Sequence, residues 1–300
     1  MLGYTDAFGV PPLKDAIAAH YQKTYGLTLD PARIAVTTGS SGGFVLAFLS
    51  AFDAGDRVAL VSPGYPAYRN ILNALDIEVV NLEAGPETDY QPTPELLAQV
   101  DGKLDGLIIA SPSNPTGTLI ADDELKNVAD TCRRLDGYLI SDEIYHGLTY
   151  GTKARCALEF DDHAIVVNGF SKRWAMTGWR IGWVVVPDEL IDACRRVMQN
   201  IFIAAPTLSQ YAAIAAISAT DEIEVMRKAY GERRNYLLSE LPKLGFDIVV
   251  EPQGAFYIYA DVSRITDDSR RFCWDMLENA GVAITPGEDF GRYKSYQHLR

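Results

Sequence analysis

Apolar positions in this 300-residue chain fall into two kinds of pattern. Short continuous apolar runs occupy positions 33–38, 57–61, 77–81, 104–110, 138–141, 164–168 and 181–186. Between them lie segments whose apolar residues recur at three- and four-residue intervals. In the first of these, Leu13, Ile17, Tyr21 and Tyr25 mark one helical face after Pro11-Pro12, and Gly26 suits its end. Similar patterns predict helices over 42–52, 66–75, 122–135 and 188–200. Continuous rather than alternating strand runs are expected where a sheet is covered on both faces. The chain therefore reads as an α/β protein, with a three-layer, mostly parallel sheet forming a large domain.

After Pro206 the character changes. A long helix is predicted over 221–241, strands near 246–250 and 255–260, and a helix over 268–280. This predicts a smaller α+β C-terminal domain. The large domain is placed at 1–222 and the small one at 223–300, with the long helix joining them. Gln297-His298-Leu299 reads as the start of a strand, and the opening Gly3-Tyr4-Thr5-Asp6 as a turn. The small domain is therefore expected to be incomplete, and the chain a fragment.

Composition removes several function classes. A net charge of −13 opposes the basic face that nucleic-acid binding needs, and also attachment to an anionic membrane surface. No apolar run approaches the roughly 20 residues of a membrane span, and no secretory-signal pattern follows Met1. Cys132, Cys156, Cys194 and Cys273 are far apart, as are the 4 histidines. Reduced thiols, no metal site and a cytoplasmic location are the expectations.

Four motifs stand at predicted strand ends, where ligands of open α/β sheets gather. Thr37-Thr38-Gly39-Ser40-Ser41-Gly42-Gly43 lies between a strand and a helix, where glycines, hydroxyls and a helix N-terminus can receive a phosphate. It has neither the Walker pattern nor the dinucleotide fingerprint, and alone reads first as a Gly/Ser helix cap. Ser111-Pro112-Ser113-Asn114-Pro115-Thr116-Gly117 follows the strand ending at Ala110. Ser141-Asp142-Glu143-Ile144-Tyr145 puts an acid and a phenol at another strand end. The fourth runs from Gly169 to Gly182 and contains Ser171, Lys172, Met176, Gly178 and Arg180.

Together these motifs resemble the class I/II aminotransferases, pyridoxal-phosphate enzymes of the aspartate aminotransferase fold. The segments Tyr4-Thr5-Asp6-Ala7-Phe8-Gly9, Ser62-Pro63-Gly64-Tyr65-Pro66-Ala67-Tyr68 and Pro252-Gln253-Gly254-Ala255-Phe256-Tyr257 fit the same family. The resemblance covers essentially the whole chain, and Ser-Lys-x-x-x-Met-x-Gly-x-Arg-x-Gly is its most specific part.

The resemblance implies transamination between an L-amino acid and a 2-oxo acid, with Lys172 holding pyridoxal 5'-phosphate as a Schiff base and acting as proton carrier. It implies Asp142 as the carboxylate that keeps the pyridine nitrogen protonated. Tyr145 and Asn114 would hydrogen-bond the ring oxygen, and Tyr65 would stack on the ring. Ser40, Ser41, Gly42, Ser171 and Arg180 would grip the phosphate, and Tyr4 would reach the phosphate of a neighbouring subunit in a homodimer. Arg300, with Asn114, would clamp the substrate carboxylate. A carbon–sulfur β-lyase on the same scaffold, and the aminotransferase-like effector module of some transcription regulators, are the alternative readings.

Overall fold

The computed structural model describes residues 3–300. In chain order the first half comprises α1 (Pro11–Tyr25), β1 (Ile34–Thr37), α2 (Gly39–Ala51), β2 (Arg57–Ser62), α3 (Pro66–Ala74), β3 (Glu78–Glu83), α4 (Pro94–Ala98) and β4 (Gly106–Ala110). Then come α5 (Asp122–Arg134), β5 (Tyr138–Asp142), β6 (Ile165–Gly169), β7 (Gly182–Val185), α6 (Ile191–Val197), α7 (Thr207–Ile217) and α8 (Thr220–Glu240). The remainder holds β8 (Ala260–Asp261), α9 (Ser269–Ala280) and β9 (His298–Leu299).

Seven strands form one sheet in the order β1-β7-β6-β5-β4-β2-β3. Pairing is parallel from β6 through β3, while β7 runs antiparallel to both β6 and β1. Alternate residues of each strand enter different cores, because side chains leave a strand on opposite faces. Leu107, Ile109, Leu139 and Val166 pack with Leu13, Ile17 and Tyr21 of α1 and Leu125 and Val128 of α5. Ile108, Ile140, Ile165 and Val167 pack with Phe44 and Phe48 of α2 and Leu72 of α3. This is the expected three-layer arrangement, and it explains why the strand runs are apolar throughout.

Local signals account for most element ends. Two prolines open α1, whose missing N–H groups have no helical partner there anyway. Gly26 closes it in the left-handed conformation, φ 75°, with its N–H on the Gln22 carbonyl at 3.1 Å. In α2, Gly43 lets the helix press onto the sheet: a Cβ there would lie 2.9 Å from Val184 Cγ2.

Three expectations are corrected. The run 246–250 forms no strand; only Asp247 pairs, with Asp261. Within 255–260 only Ala260 is in a strand, β8, which pairs antiparallel with β9. The preceding segment spends its backbone groups on loops of the larger unit instead. Gly254 N donates to the Gly117 carbonyl at 2.8 Å and Ala255 N to the Leu148 carbonyl at 2.8 Å. The expected helix 188–200 is a 3₁₀ turn, then α6, then a wider turn over Met198–Phe202 closed by Ile203 N on the Met198 carbonyl at 2.7 Å.

Candidate active site

Asp142 is the last residue of β5 and is 5 % exposed. The Tyr68 hydroxyl, on α3, donates to Oδ2, and the Ile144 N–H donates to Oδ1 at 3.1 Å. Burial pushes the Asp142 carboxyl up to about 6, against the pull of these two donors and of the Lys172 charge. A buried acid so placed favours a cation as its next neighbour.

Lys172 lies in the loop that leaves β6 and is half-buried. The loop is folded into a turn by Ala175 N on the Lys172 carbonyl and Met176 N on the Phe170 carbonyl, both at 3.1 Å. Burial lowers the Lys172 ammonium, Arg300 and Arg180 add to the lowering, and Asp142 opposes it. Its Nζ stands 5.8 Å from the ring centre of Phe256. Three other sequence-selected charges, Asp142, Arg180 and Arg300, thus act on Lys172, although Asp142 and Arg300 lie far from it in the chain.

The glycine-rich loop forms the first turn of α2, with Thr38 at its cap. Ser40 is half-buried and Ser41 exposed, with Gly42 buried beneath them. A Cβ on Gly39, which has φ +78°, would meet Arg180 Nη2 at 2.6 Å. A Cβ on Gly182 would meet the Ser40 nitrogen at 2.9 Å. The guanidinium of Arg180 therefore sits directly over the open N-terminus of a 13-residue helix, beside Ser40. Arg180 itself is left-handed, φ 50°, and its Nη1 donates to the Thr177 carbonyl at 2.9 Å, which aims the side chain. Helix N–H groups, hydroxyls and a guanidinium fork in one place make an anion cradle. Ser171 is buried, one residue before Lys172.

Asn114 and Arg300 meet as expected: Arg300 Nη1 donates to Asn114 Oδ1 at 2.9 Å. The guanidinium lies between two rings, 4.5 Å from the centre of Tyr257 and 4.7 Å from that of Phe290. Its backbone is fixed by reciprocal bonds with Thr285 at 2.9 and 3.1 Å. Tyr145 shares a hydrogen bond with Tyr257, hydroxyl to hydroxyl, at 2.7 Å. Tyr65 is half-buried, with its ring edge-on to Tyr68 at 5.4 Å, and burial followed by the Asp142 charge raises its phenol. Tyr4 stands apart from this group, 86 % exposed.

Two partners escaped the sequence reading. Tyr68 lies on α3, inside the quoted Ser-Pro-Gly-Tyr-Pro-Ala-Tyr segment, but nothing in that segment pointed to its contact with Asp142. Tyr257 ends another quoted segment, but nothing in its spacing revealed the contact with Tyr145 and Arg300.

The residues present fit pyridoxal phosphate on structural grounds. A buried carboxylate held by two donors suits a protonated ring nitrogen, a depressed amine suits an aldehyde, and the Gly39–Arg180 cradle suits a phosphate.

The family model described as "Aminotransferase class I and II" matches residues 1–300. The chain is 51 % identical over 303 residues to the valine–pyruvate aminotransferase of Mycobacterium tuberculosis, covering 100 % of this chain and 78 % of that protein. It is 34 % identical to the aspartate/prephenate aminotransferase of Thermus thermophilus, covering 99 % and 77 % respectively. Among solved structures, an aminotransferase from M. tuberculosis superposes with a TM-score of 0.97 at 50 % identity, over 100 % of this chain and 78 % of that one. The T. thermophilus aspartate aminotransferase with maleate gives 0.93 at 34 % identity, over 99 % and 78 %.

Proposed function

The chain belongs to the class I and II aminotransferases, and from that premise we propose how its residues divide the work of transamination. The reaction itself is pyridoxal-phosphate-dependent transfer of an amino group between an amino acid and a 2-oxo acid. When bound, the cofactor supplies an aldehyde carbon that takes up the amine and a ring that accepts electrons from the amino acid's α-carbon.

Lys172 Nζ would hold the cofactor through its aldehyde carbon and, as a free amine, would carry the α-proton. Its lowered affinity for a proton, caused first by burial, supports both roles, since each requires a free amine pair. Asp142 would keep a proton on the ring nitrogen; at about 1.4 kcal/mol per pKa unit, an ion pair in this dry position would decide the protonation state. Tyr145, with Asn114, would donate toward the ring oxygen, and Tyr65 would pack on the ring. Ser40, Ser41, Gly42, Ser171 and Arg180 would hold the phosphate. Arg300 and Asn114 seat the substrate carboxylate, orienting the α-proton toward Nζ. The observation carrying this reading is the convergence of Lys172, Asp142, Arg180 and Arg300 on one site.

The donor is assigned as a neutral aliphatic amino acid with pyruvate as acceptor, supported by the name of the 51 % identical relative and by the Tyr257, Phe256 and Phe290 rings near Arg300 and Lys172. A panel of amino donors against pyruvate and 2-oxoglutarate tests it. Valine should be consumed faster with pyruvate than aspartate is. Ammonia release without oxo-acid exchange would favour a β-lyase.

We assign the enzyme to cytoplasmic amino-acid biosynthesis as a homodimer. No described helix is long and apolar enough to cross a membrane, and the 4 cysteines are buried and free. Trp179, Ile201, Ile203, Leu208 and Tyr211 expose apolar surface around the phosphate cradle, and Ser209 Oγ ties α7 to the Trp179 carbonyl at 2.7 Å. A second copy would cover this face and accept Tyr4 at its own phosphate site. The division into 1–222 and 223–300 is retained as a working boundary within α8. Sedimentation should give twice the chain mass, and a monomer would contradict the shared site.

A further inference from the structure

A buried polar chain lies behind the site, on the side of β5 opposite Asp142. His146, 4 % exposed, has Nε2 2.8 Å from the Ser111 carbonyl and Nδ1 2.7 Å from the Tyr25 hydroxyl at the end of α1. Glu143, 0 % exposed, accepts from Ala157 N at 2.8 Å through Oε1, and its Oε2 lies 3.4 Å from His146 Nδ1. None of these groups belongs to the mechanism above. Yet each touches a segment that carries it: Glu143 and His146 flank Tyr145, and Ser111 opens the loop that carries Asn114.

The tautomer follows from the partners. A carbonyl only accepts, so Nε2 must bear the proton. In a neutral ring Nδ1 is then the acceptor, and the Tyr25 hydroxyl donates to it. Neutrality has its own causes. Burial comes first; Arg173 from the lysine loop and His20 from α1 act in the same direction, and together they press His146 down to about 3. Glu143, the acid facing it from the same loop, is pushed up to about 8 by burial, so at neutral pH it offers no full negative charge to draw a proton onto the ring.

The Ser111 loop is closed by short bonds. Ser111 Oγ accepts from Ile120 N at 3.0 Å, Ser113 N donates to the Thr118 carbonyl at 2.9 Å, and Gly117 N donates to the Ser113 carbonyl at 2.9 Å. Such a loop moves as a unit, so a grip on the Ser111 carbonyl sets Asn114 at its tip. Asn114 in turn accepts from Arg300 at 2.9 Å.

We propose that His146, as the neutral Nε2–H tautomer held by Tyr25, is a positioning residue for transamination that sets Asn114 and through it the carboxylate seat of Arg300. This rests on the reading that Asn114 and Arg300 take the substrate carboxylate. His146 touches neither substrate nor cofactor; it acts through the Ser111 loop.

The test uses the holoenzyme with His146→Gln and His146→Asn. A glutamine amide reaches the place of Nε2 and can still donate to Ser111, whereas an asparagine amide falls at the place of Nδ1 and leaves that carbonyl unpaired. His146→Asn is expected to raise the amino-donor KM about tenfold with kcat within about threefold, the size of one lost buried hydrogen bond. The cofactor absorption spectrum is expected to shift along with KM, because Asn114 also faces the ring oxygen, and His146→Gln restores both, KM to within about twofold of the parent. An unchanged KM in His146→Asn, an equal loss in both variants, or a KM rise with an unmoved cofactor spectrum overturns the proposal. Should His146→Asn not fold, Tyr25→Phe, which leaves Nδ1 without its donor and loosens the ring over Ser111, must raise KM; no rise overturns it as well. Arg300→Lys separates the two readings: no rise in KM there removes the carboxylate seat itself, while a rise there with a silent His146→Asn removes only the role of His146.

Discussion

Tyr68 and Asp142 face each other across the sheet edge, the phenol of α3 donating to the carboxylate that ends β5. Among the described residues the Ile144 N–H alone joins it as donor to that carboxylate, at 3.1 Å. Tyr68 thus keeps a buried acid ionisable without neutralising it, leaving its charge for a cation in the site.

Replacing Tyr68 with Phe therefore raises the Asp142 carboxyl further and weakens its hold on a protonated ring nitrogen. Hydrogen bonds to charged groups contribute about 1.5–3 kcal/mol, so cofactor affinity should fall roughly tenfold or more. Titrating the cofactor-free protein and following cofactor absorbance measures this. Equal affinity in Tyr68→Phe would show that Asp142 does not depend on the phenol.

The two arginines should separate by readout. Arg180→Lys loses the fork over the helix N-terminus and should weaken cofactor binding about tenfold. Arg300→Lys should instead raise the amino-donor KM by roughly tenfold or more with the cofactor retained. Identical profiles for both variants would contradict the separation of phosphate and carboxylate sites.

Glu143 predicts a pH-dependent stability. Its folded carboxyl is pushed up from 4.5 to about 8 by burial, so the folded chain keeps a proton that the unfolded chain releases. Stability is then lost as pH rises from about 4.5 to about 8. His146, pressed down from 6.5 to about 3, acts oppositely, but only below its ordinary value of 6.5. The window from 6.5 to 8 is therefore set by Glu143 rather than by His146. Denaturant unfolding of the cofactor-free chain should lose on the order of 1–2 kcal/mol across that window, and Glu143→Gln should remove the loss. A slope that survives Glu143→Gln would assign it to another group.

Gly182→Ala should destabilise the chain by roughly 1–3 kcal/mol, as overpacking does. The added Cβ would meet the Asn168 carbonyl at 2.8 Å and the Ser40 nitrogen at 2.9 Å, backbone atoms on both sides. Thermal unfolding measures the cost, and cofactor affinity should fall with it because Ser40 is displaced.

Most of the sheet, and the strand ends that carry the candidate site residues, were legible in the sequence, for a physical reason. Strands such as Gly106–Ala110 and Ile165–Gly169 are covered on both faces, so their apolar runs are uninterrupted, and each ends on a polar site residue or turn. Helix Thr207–Ile217 was missed because Leu208, Ala212, Ala213, Ile214 and Ile217 leave no polar stripe to mark a period. The segments 246–250 and 255–260 misled because β-branched and aromatic residues there suit strands, while Asp247 makes only a single bridge to Asp261 and Ala255 N bonds the distant Leu148 carbonyl. Tyr68, Tyr257, Glu143 and His146 act through contacts that only the fold brings together, such as the 2.7 Å bond between Tyr145 and Tyr257.

The central claim is that Lys172 holds the cofactor. Borohydride reduction of the holoenzyme converts the carbon–nitrogen double bond to a stable amine, which peptide mass mapping can locate. The account predicts the reduced cofactor's mass on the peptide containing Lys172, and its loss in Lys172→Ala. The same mass on a different lysine, or its persistence in Lys172→Ala, would contradict it.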